Sequence, residues 1–306
     1  MIREENHMKT GMANIPSAQL SYQIYGDGDV SLVIEMGLGA AMAEWSALAR
    51  SLSDRHTVLL YQRAGYGESS RSAKARTPEN IAVELYQLLE QIAHTEKVTM
   101  LAHSQGGLYA WKFAAMFPGL VDKLVLLDPL SPEDHRFREE LTEEEFRKSG
   151  VDKTGGLRLN LQLTRLHLGW LVRRAMRTAP PFYYYDGFSD EERYQILSAF
   201  SKPQTYQTAL EEYAQAHDPH NLEGMLNKTS APDIPVTLIT HDSEIACREI
   251  REFGGASEAQ AQKIEVLWQE IMQFYLSDVT DRTLVRAENS SHYIHLTDSD
   301  LVCGQL

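Results

Sequence analysis

The chain has 306 residues, 43% of them hydrophobic and 24% charged, with a formal net charge of −14 and a pI near 5.2. It is too apolar for a disordered chain and long enough to bury a core without disulfides or a structural metal. The acidic balance disfavours nucleic acid and anionic membranes as partners, and the only cysteines, Cys247 and Cys303, form no zinc-ribbon or disulfide pattern.

In chain order, the N-terminal residues carry mixed charge and no apolar h-region, and no run approaches the roughly 18 apolar residues of a membrane span. A cytoplasmic, membrane-free protein is the expectation. Short apolar runs at Leu32–Ile34, Thr57–Tyr61, Val98–Leu101 and Leu124–Leu127 read as strands buried on both faces. Helices are expected between them at 41–52, 78–93 and 105–117, with Thr77-Pro78 opening the second and Pro118 stopping the third. This alternation predicts an α/β fold, a mostly parallel sheet with helices on both faces. From 131 to 232 strand-like runs vanish and helical spacing dominates, so this stretch is expected to be a helical cap inserted into a core of 1–130 and 233–306. A strand returns at Ile234–Ile239, a helix of period 3.6 spans 264–275, a last strand is expected at Thr283–Val285, and a last helix at 297–303.

The chemistry concentrates at Leu101-Ala102-His103-Ser104-Gln105-Gly106-Gly107, where small-x-Ser-x-Gly falls between a strand and a helix. Small residues two before and two after the serine let the backbone double back, so Ser104 projects from the sheet edge in a strained turn. A serine nucleophile also needs a base, and Asn289-Ser290-Ser291-His292-Tyr293 follows the last strand, making His292 the candidate. An imidazole can accept and return a proton near neutrality. His295 is a weaker alternative, and His103 is expected to pack or hydrogen-bond. The oxyanion hole is expected from the amides of Gln105 and of Leu38, in the loop Glu35-Met36-Gly37-Leu38-Gly39. That loop is no dinucleotide fingerprint, because Met42 occupies the third glycine slot. No cofactor is expected. His217, His220 and His241 form no recognised metal-ligand set.

On Gly37-Leu38-Gly39, Arg63-Ala64-Gly65-Tyr66-Gly67-Glu68-Ser69, the serine turn and Ser291-His292, the chain resembles the α/β-hydrolase fold superfamily of serine hydrolases, in its branch with a helical cap. Met36 and Gln62 stand where many members have His and Asp. The resemblance puts the orienting acid either after the strand at 235–239 or after the strand before it in the sheet. At the first place Asp242 occupies the glycine position and Ile245 the acid's slot. The second place is Asp128, which is the preferred acid, with Asp242 or Glu244 as alternatives. The resulting expectation is a cofactor-independent serine hydrolase of small ester-like substrates, with Trp170, Phe182 and Tyr183 to Tyr185 lining a pocket under the cap. Carbon–carbon bond hydrolysis, lactone opening, perhydrolysis, or ligand sensing with little turnover are the alternatives that the same fold allows.

Overall fold

The computed structural model describes residues 8–92, 96–226 and 232–306. Its sheet has eight strands: β1 (Met8–Ile15), β2 (Ala18–Tyr25), β3 (Leu32–Glu35), β4 (Val58–Tyr61), β5 (Val98–His103), β6 (Val121–Leu127), β7 (Val236–His241) and β8 (Arg282–Ala287). They lie in the order β1-β2-β4-β3-β5-β6-β7-β8. β3 through β8 pair in parallel, whereas β2 is antiparallel to both β1 and β4. The sequence reading missed β1 and β2. Their polar, partly exposed residues carry little of the continuous apolar signal that marks the central strands.

The central strands are buried on both faces, and their side chains divide by a period of two. Val33, Leu59, Met100, Leu124 and Leu238 join one core with α2 (Pro78–Ile92), α3 (Gln105–Met116) and α12 (Glu258–Met272). Ile34, Leu60, Leu101, Val125 and Ile239 join the other, with α1 (Ser46–Leu52), α14 (Ile294–Thr297) and α15 (Ser299–Gly304). The expected helix at 41–52 is a 3-10 turn at Met42–Glu44 followed by α1, and position 93 of the second expected helix lies outside the described residues.

Between β6 and β7 the chain forms α4 (Arg136–Glu140), α5 (Glu143–Ser149), α6 (Thr154–Arg165), α7 (Gly169–Met176), α8 (Asp190–Ala199), α9 (Pro203–Ala216) and α10 (Pro219–Leu226). After β7 come α11 (Ser243–Gly254), α12, and α13 (Phe274–Ser277). The strand order reverses beside β3, since β4 lies on one side of it and β5 on the other. A crevice opens at such a switch point outside the carboxyl ends of the strands. The loops after β3 and β5 are the ones that carry Gly37 and Ser104. Among the described residues no helix is long and apolar enough to cross a membrane.

Candidate active site

β5 ends at His103 and α3 begins at Gln105, which leaves Ser104 to turn the chain. It does so at φ 53° and ψ −128°, a conformation that costs a non-glycine residue roughly 1–3 kcal/mol. The surroundings over-determine it. The Ser104 amide donates to Leu127 O (3.0 Å), and the Ser104 carbonyl accepts from Gly107 (2.9 Å) and Leu130 (2.8 Å). The small residues follow from contact: a Cβ on Gly106 would lie 2.3 Å from Glu35 O, and one on Gly107 would lie 2.4 Å from Pro129 Cβ. The loop after β3 closes on the same point, since a Cβ on Gly37 would stand 3.3 Å from Ser104 Cβ.

That loop is held by a buried guanidinium. Arg63 donates to Met36 O (2.5 Å), Gly37 O (3.0 Å) and Glu35 Oε1 (2.7 Å), and also to Glu212 Oε2 on α9 (2.9 Å). Glu35 accepts a further bond from Tyr61, and Glu212 one from Tyr66 at 3.0 Å. Gly65, at φ +96°, lets α9 come close: a Cβ there would lie 2.1 Å from Thr208 Oγ1. The Arg-x-Gly-x-Gly-x-Ser stretch therefore ties the Leu38 loop and the inserted helices into one unit. The long separation of Glu212 from Arg63 in sequence concealed this pairing.

Asp128 follows β6 and is buried, at φ 45°. Its Oδ2 accepts from His292 Nδ1 at 2.9 Å, while the His292 side chain keeps 42% of its surface exposed. His292 is also fixed through its backbone, because His103 Nε2 donates to its carbonyl at 2.9 Å and its amide donates to Ser291 Oγ at 2.6 Å. Burial first, and the neighbouring His292 second, lower the His103 pKa to about 3, so this ring is neutral. His295 is buried and stacked on Trp45 at 3.8 Å, with neither ring nitrogen hydrogen-bonded among the described residues, and burial drives its pKa well down. It has no route to a substrate proton. Asp242 caps α11, its Oδ1 accepting from the amides of Glu244 and Ile245 at 2.9 Å each, and Glu244 is exposed.

One residue here was considered at the sequence level only as a metal ligand. His241 ends β7, and its Nδ1 donates to the same Asp128 Oδ2 at 2.8 Å while its amide donates to Asp128 Oδ1 at 3.0 Å. Its Nε2 faces Glu265 Oε2 on α12 at 3.0 Å. Both ring nitrogens thus meet carboxylates, which accept only, so both must carry protons and His241 is an imidazolium. Burial opposes that charge, but Asp128 and then Glu265 outweigh it and raise the His241 pKa to about 10. Burial likewise would raise the Asp128 pKa; His241 first and His292 second reverse this and hold the carboxyl well below its ordinary range. The nearest signal in the sequence is a histidine at the end of a buried strand.

Because the folded pKa of His241 lies above its unfolded value of about 6.5, the stability it confers is full below that pH and fades as pH rises toward 10. Replacing it with glutamine leaves two buried carboxylates without their cation, at a cost of about 3–5 kcal/mol. Chemical denaturation of wild type and His241→Gln across pH 6 to 10 should show a gap that narrows steadily. A gap that does not change with pH would contradict the imidazolium.

The expected pocket residues occupy different surroundings. Trp170 is 61% exposed, because Val172 takes the inward position on α7 and packs with Leu161 and Tyr206. Tyr183 is half exposed and leans on Phe253, whereas Phe182 and Tyr185 pack with Phe188 in a cluster that includes Ala41 and Ala43, after β3, and Leu296, shortly after His292. Tyr184 is the member of this cluster nearest the histidine loop: its hydroxyl donates to Glu249 (3.0 Å) and its ring stacks 5.0 Å from Tyr293.

A doubly wound sheet with a strained serine turn at its switch point, tied through His103 to the loop of a carboxylate-held histidine, defines a class of α/β proteins built around a strand–serine turn–helix motif. Residues 30–243 match the alpha/beta hydrolase fold family, and the chain belongs to that family. It is 32% identical over 116 residues to the abhydrolase domain-containing protein abhd-5.2 of Caenorhabditis elegans, covering 36% of this chain and 26% of the relative. It is 34% identical over 101 residues to the (lyso)-N-acylphosphatidylethanolamine lipase of Homo sapiens, covering 32% of this chain and 30% of that protein. The matches thus span about a quarter to a third of these relatives' length. Among solved structures, an alpha/beta hydrolase from Nostoc sp PCC 7120 superposes with a TM-score of 0.74 at 18% identity, over 97% of this chain and 96% of that one.

Proposed function

We propose that the protein is a serine hydrolase that cleaves small carboxylic ester-like substrates through an acyl-enzyme, with residues 131–232 as a cap over the site. The observation that carries this reading is the buried Asp128 carboxylate holding Nδ1 of a half-exposed His292 at 2.9 Å, on a loop bonded to His103, the residue before the serine of the strained turn. With its proton fixed on Nδ1, the imidazole offers Nε2 as an acceptor. Ser104 Oγ attacks the acyl carbonyl and passes its proton to His292 Nε2. The resulting oxyanion is stabilised by the amides of Leu38, in the loop that Arg63 holds, and of Gln105, at the start of α3. His292 then protonates the departing alcohol, water attacks the acyl-enzyme with His292 again as base, and Ser104 is released. Asp128 stabilises the imidazolium in both half-reactions and is not itself protonated. No step needs a cofactor. The likeness to a lipase supports the ester class.

The test is intact mass after a fluorophosphonate probe, followed by a panel of acyl esters. One adduct on wild type, absent from Ser104→Ala, is expected, together with turnover of at least one short ester. Folded wild-type protein that takes up no adduct would refute the reading.

A further inference from the structure

The net charge of −14 is distributed very unevenly. From Lys153 to Tyr185 the chain has six Lys and Arg and no Asp or Glu, so the remaining residues carry −20. This stretch contains α6, α7 and the aromatic loop that follows. The inward faces of the two helices, Leu161 and Val172, are already packed against Tyr206 of α9. Their outward faces would be expected to be wholly polar. Instead Leu159 is 60% exposed, Leu166 66% and Trp170 61%, with Leu171 also at the surface. Arg158, Arg165, Arg174 and Arg177 are exposed between them. Among the described residues Arg158, Arg174 and Arg177 have no carboxylate partner, and Arg165 reaches only the Gln207 amide at 3.4 Å. An open groove of about 590 Å³ runs across this face, bounded by Arg165, His167, Trp170, Arg173 and Ser201.

Cations alone would suit any polyanion, and exposed leucines alone would suit a protein partner. Leucines and an indole alternating with unpaired guanidinium groups on the same helical faces suit the headgroup region of an anionic bilayer, where apolar side chains dip in and cations stay at the surface. The strongly acidic remainder is repelled by the same surface, which turns the molecule so that this face leads. The face continues toward the candidate site, since the loop after α7 places Tyr184 against Tyr293, the residue next to His292. We propose that the outer face of α6 and α7 is a docking surface for anionic lipid bilayers, with a lipid phosphate accepted in the groove between Arg165 and Arg173. The local clustering reverses what the overall charge suggested about membranes. The inference is independent of the ester reading.

It is tested on the full chain carrying Ser104→Ala, by flotation with vesicles of phosphatidylcholine alone or with about one third phosphatidylglycerol. Partitioning should be about tenfold stronger on the anionic vesicles and fall as salt is raised. Tryptophan emission should shift to the blue on binding and lose that shift in Trp170→Phe, since Trp45 and Trp111 are already buried and the half-buried Trp268 packs on His241, away from α6 and α7 in the contacts it makes. The triple variant Arg158→Glu, Arg174→Glu, Arg177→Glu should lose about tenfold in partitioning with an unchanged melting temperature. Absence of flotation with anionic vesicles would overturn the proposal. So would undiminished partitioning of the folded triple variant, or binding to heparin as strong as to vesicles with no emission shift on lipid.

Discussion

Ser104→Ala is expected to lower kcat on any ester that the wild type turns over by about 10⁴–10⁶-fold, with little change in KM. The covalent route vanishes with the hydroxyl, while the oxyanion amides and the binding surfaces remain, so a residual rate above water should persist. The size of the loss distinguishes a nucleophile from a serine that merely occupies a βα turn. Stability should change little, because alanine keeps the Cβ and the φ of 53° is held by backbone bonds to Leu127, Gly107 and Leu130 rather than by the side chain. A kcat within tenfold of wild type, on protein with an unchanged melting curve, would remove Ser104 from the mechanism.

Asp128→Asn is expected to cost about 10⁴-fold in kcat. Three donors point at this carboxylate: Nδ1 of His292, Nδ1 of His241 and the amide of His241. However an asparagine is turned, its NH₂ must face at least one of them. The soft partner is His292, which can move its proton to Nε2, the atom that must take the Ser104 proton. The substitution thus leaves the shape intact and inverts the tautomer. It also deprives the His241 imidazolium of one of its two carboxylates, so a fall in stability should accompany the kinetic loss. Asp242→Asn provides the contrast. Asparagine caps a helix as well as aspartate does, so neither turnover nor melting should move appreciably. If Asp242→Asn abolished turnover and Asp128→Asn spared it, the acid would be misassigned.

The elements that are buried on both faces were the most legible. Leu32–Ile34, Val98–Leu101 and Leu124–Leu127 are near-continuous apolar runs because water is excluded from either side, and that is a property of composition alone. The serine turn was legible for a related reason: Gly106 and Gly107 are demanded by backbone and proline atoms 2.3 and 2.4 Å from where a Cβ would be. These contacts come from Glu35 and Pro129, distant in the chain, yet the small residues they demand stand side by side and leave a trace in consecutive positions. β1, with its Lys, Thr and Asn, left little trace, whereas β2 alternates Ala18, Leu20, Tyr22 and Ile24 with Gln19, Ser21 and Gln23, the period of a half-buried strand, which a search for continuous apolar runs passes over.

Taken by itself, the sequence determined the α/β alternation, the place of the serine turn and the candidates for attack and proton transfer. These depend on local backbone geometry and on side-chain chemistry, which neighbouring residues express. Only the tertiary structure decided that Asp128 is shared between His292 and His241, that Arg63 joins the Leu38 loop to Glu212, and that Trp170 faces outward among arginines. Each of these depends on groups brought together from far apart in the chain, or on which side of a helix its partners leave open. Burial and charge pairing are set by that assembly, and no window of consecutive residues contains it.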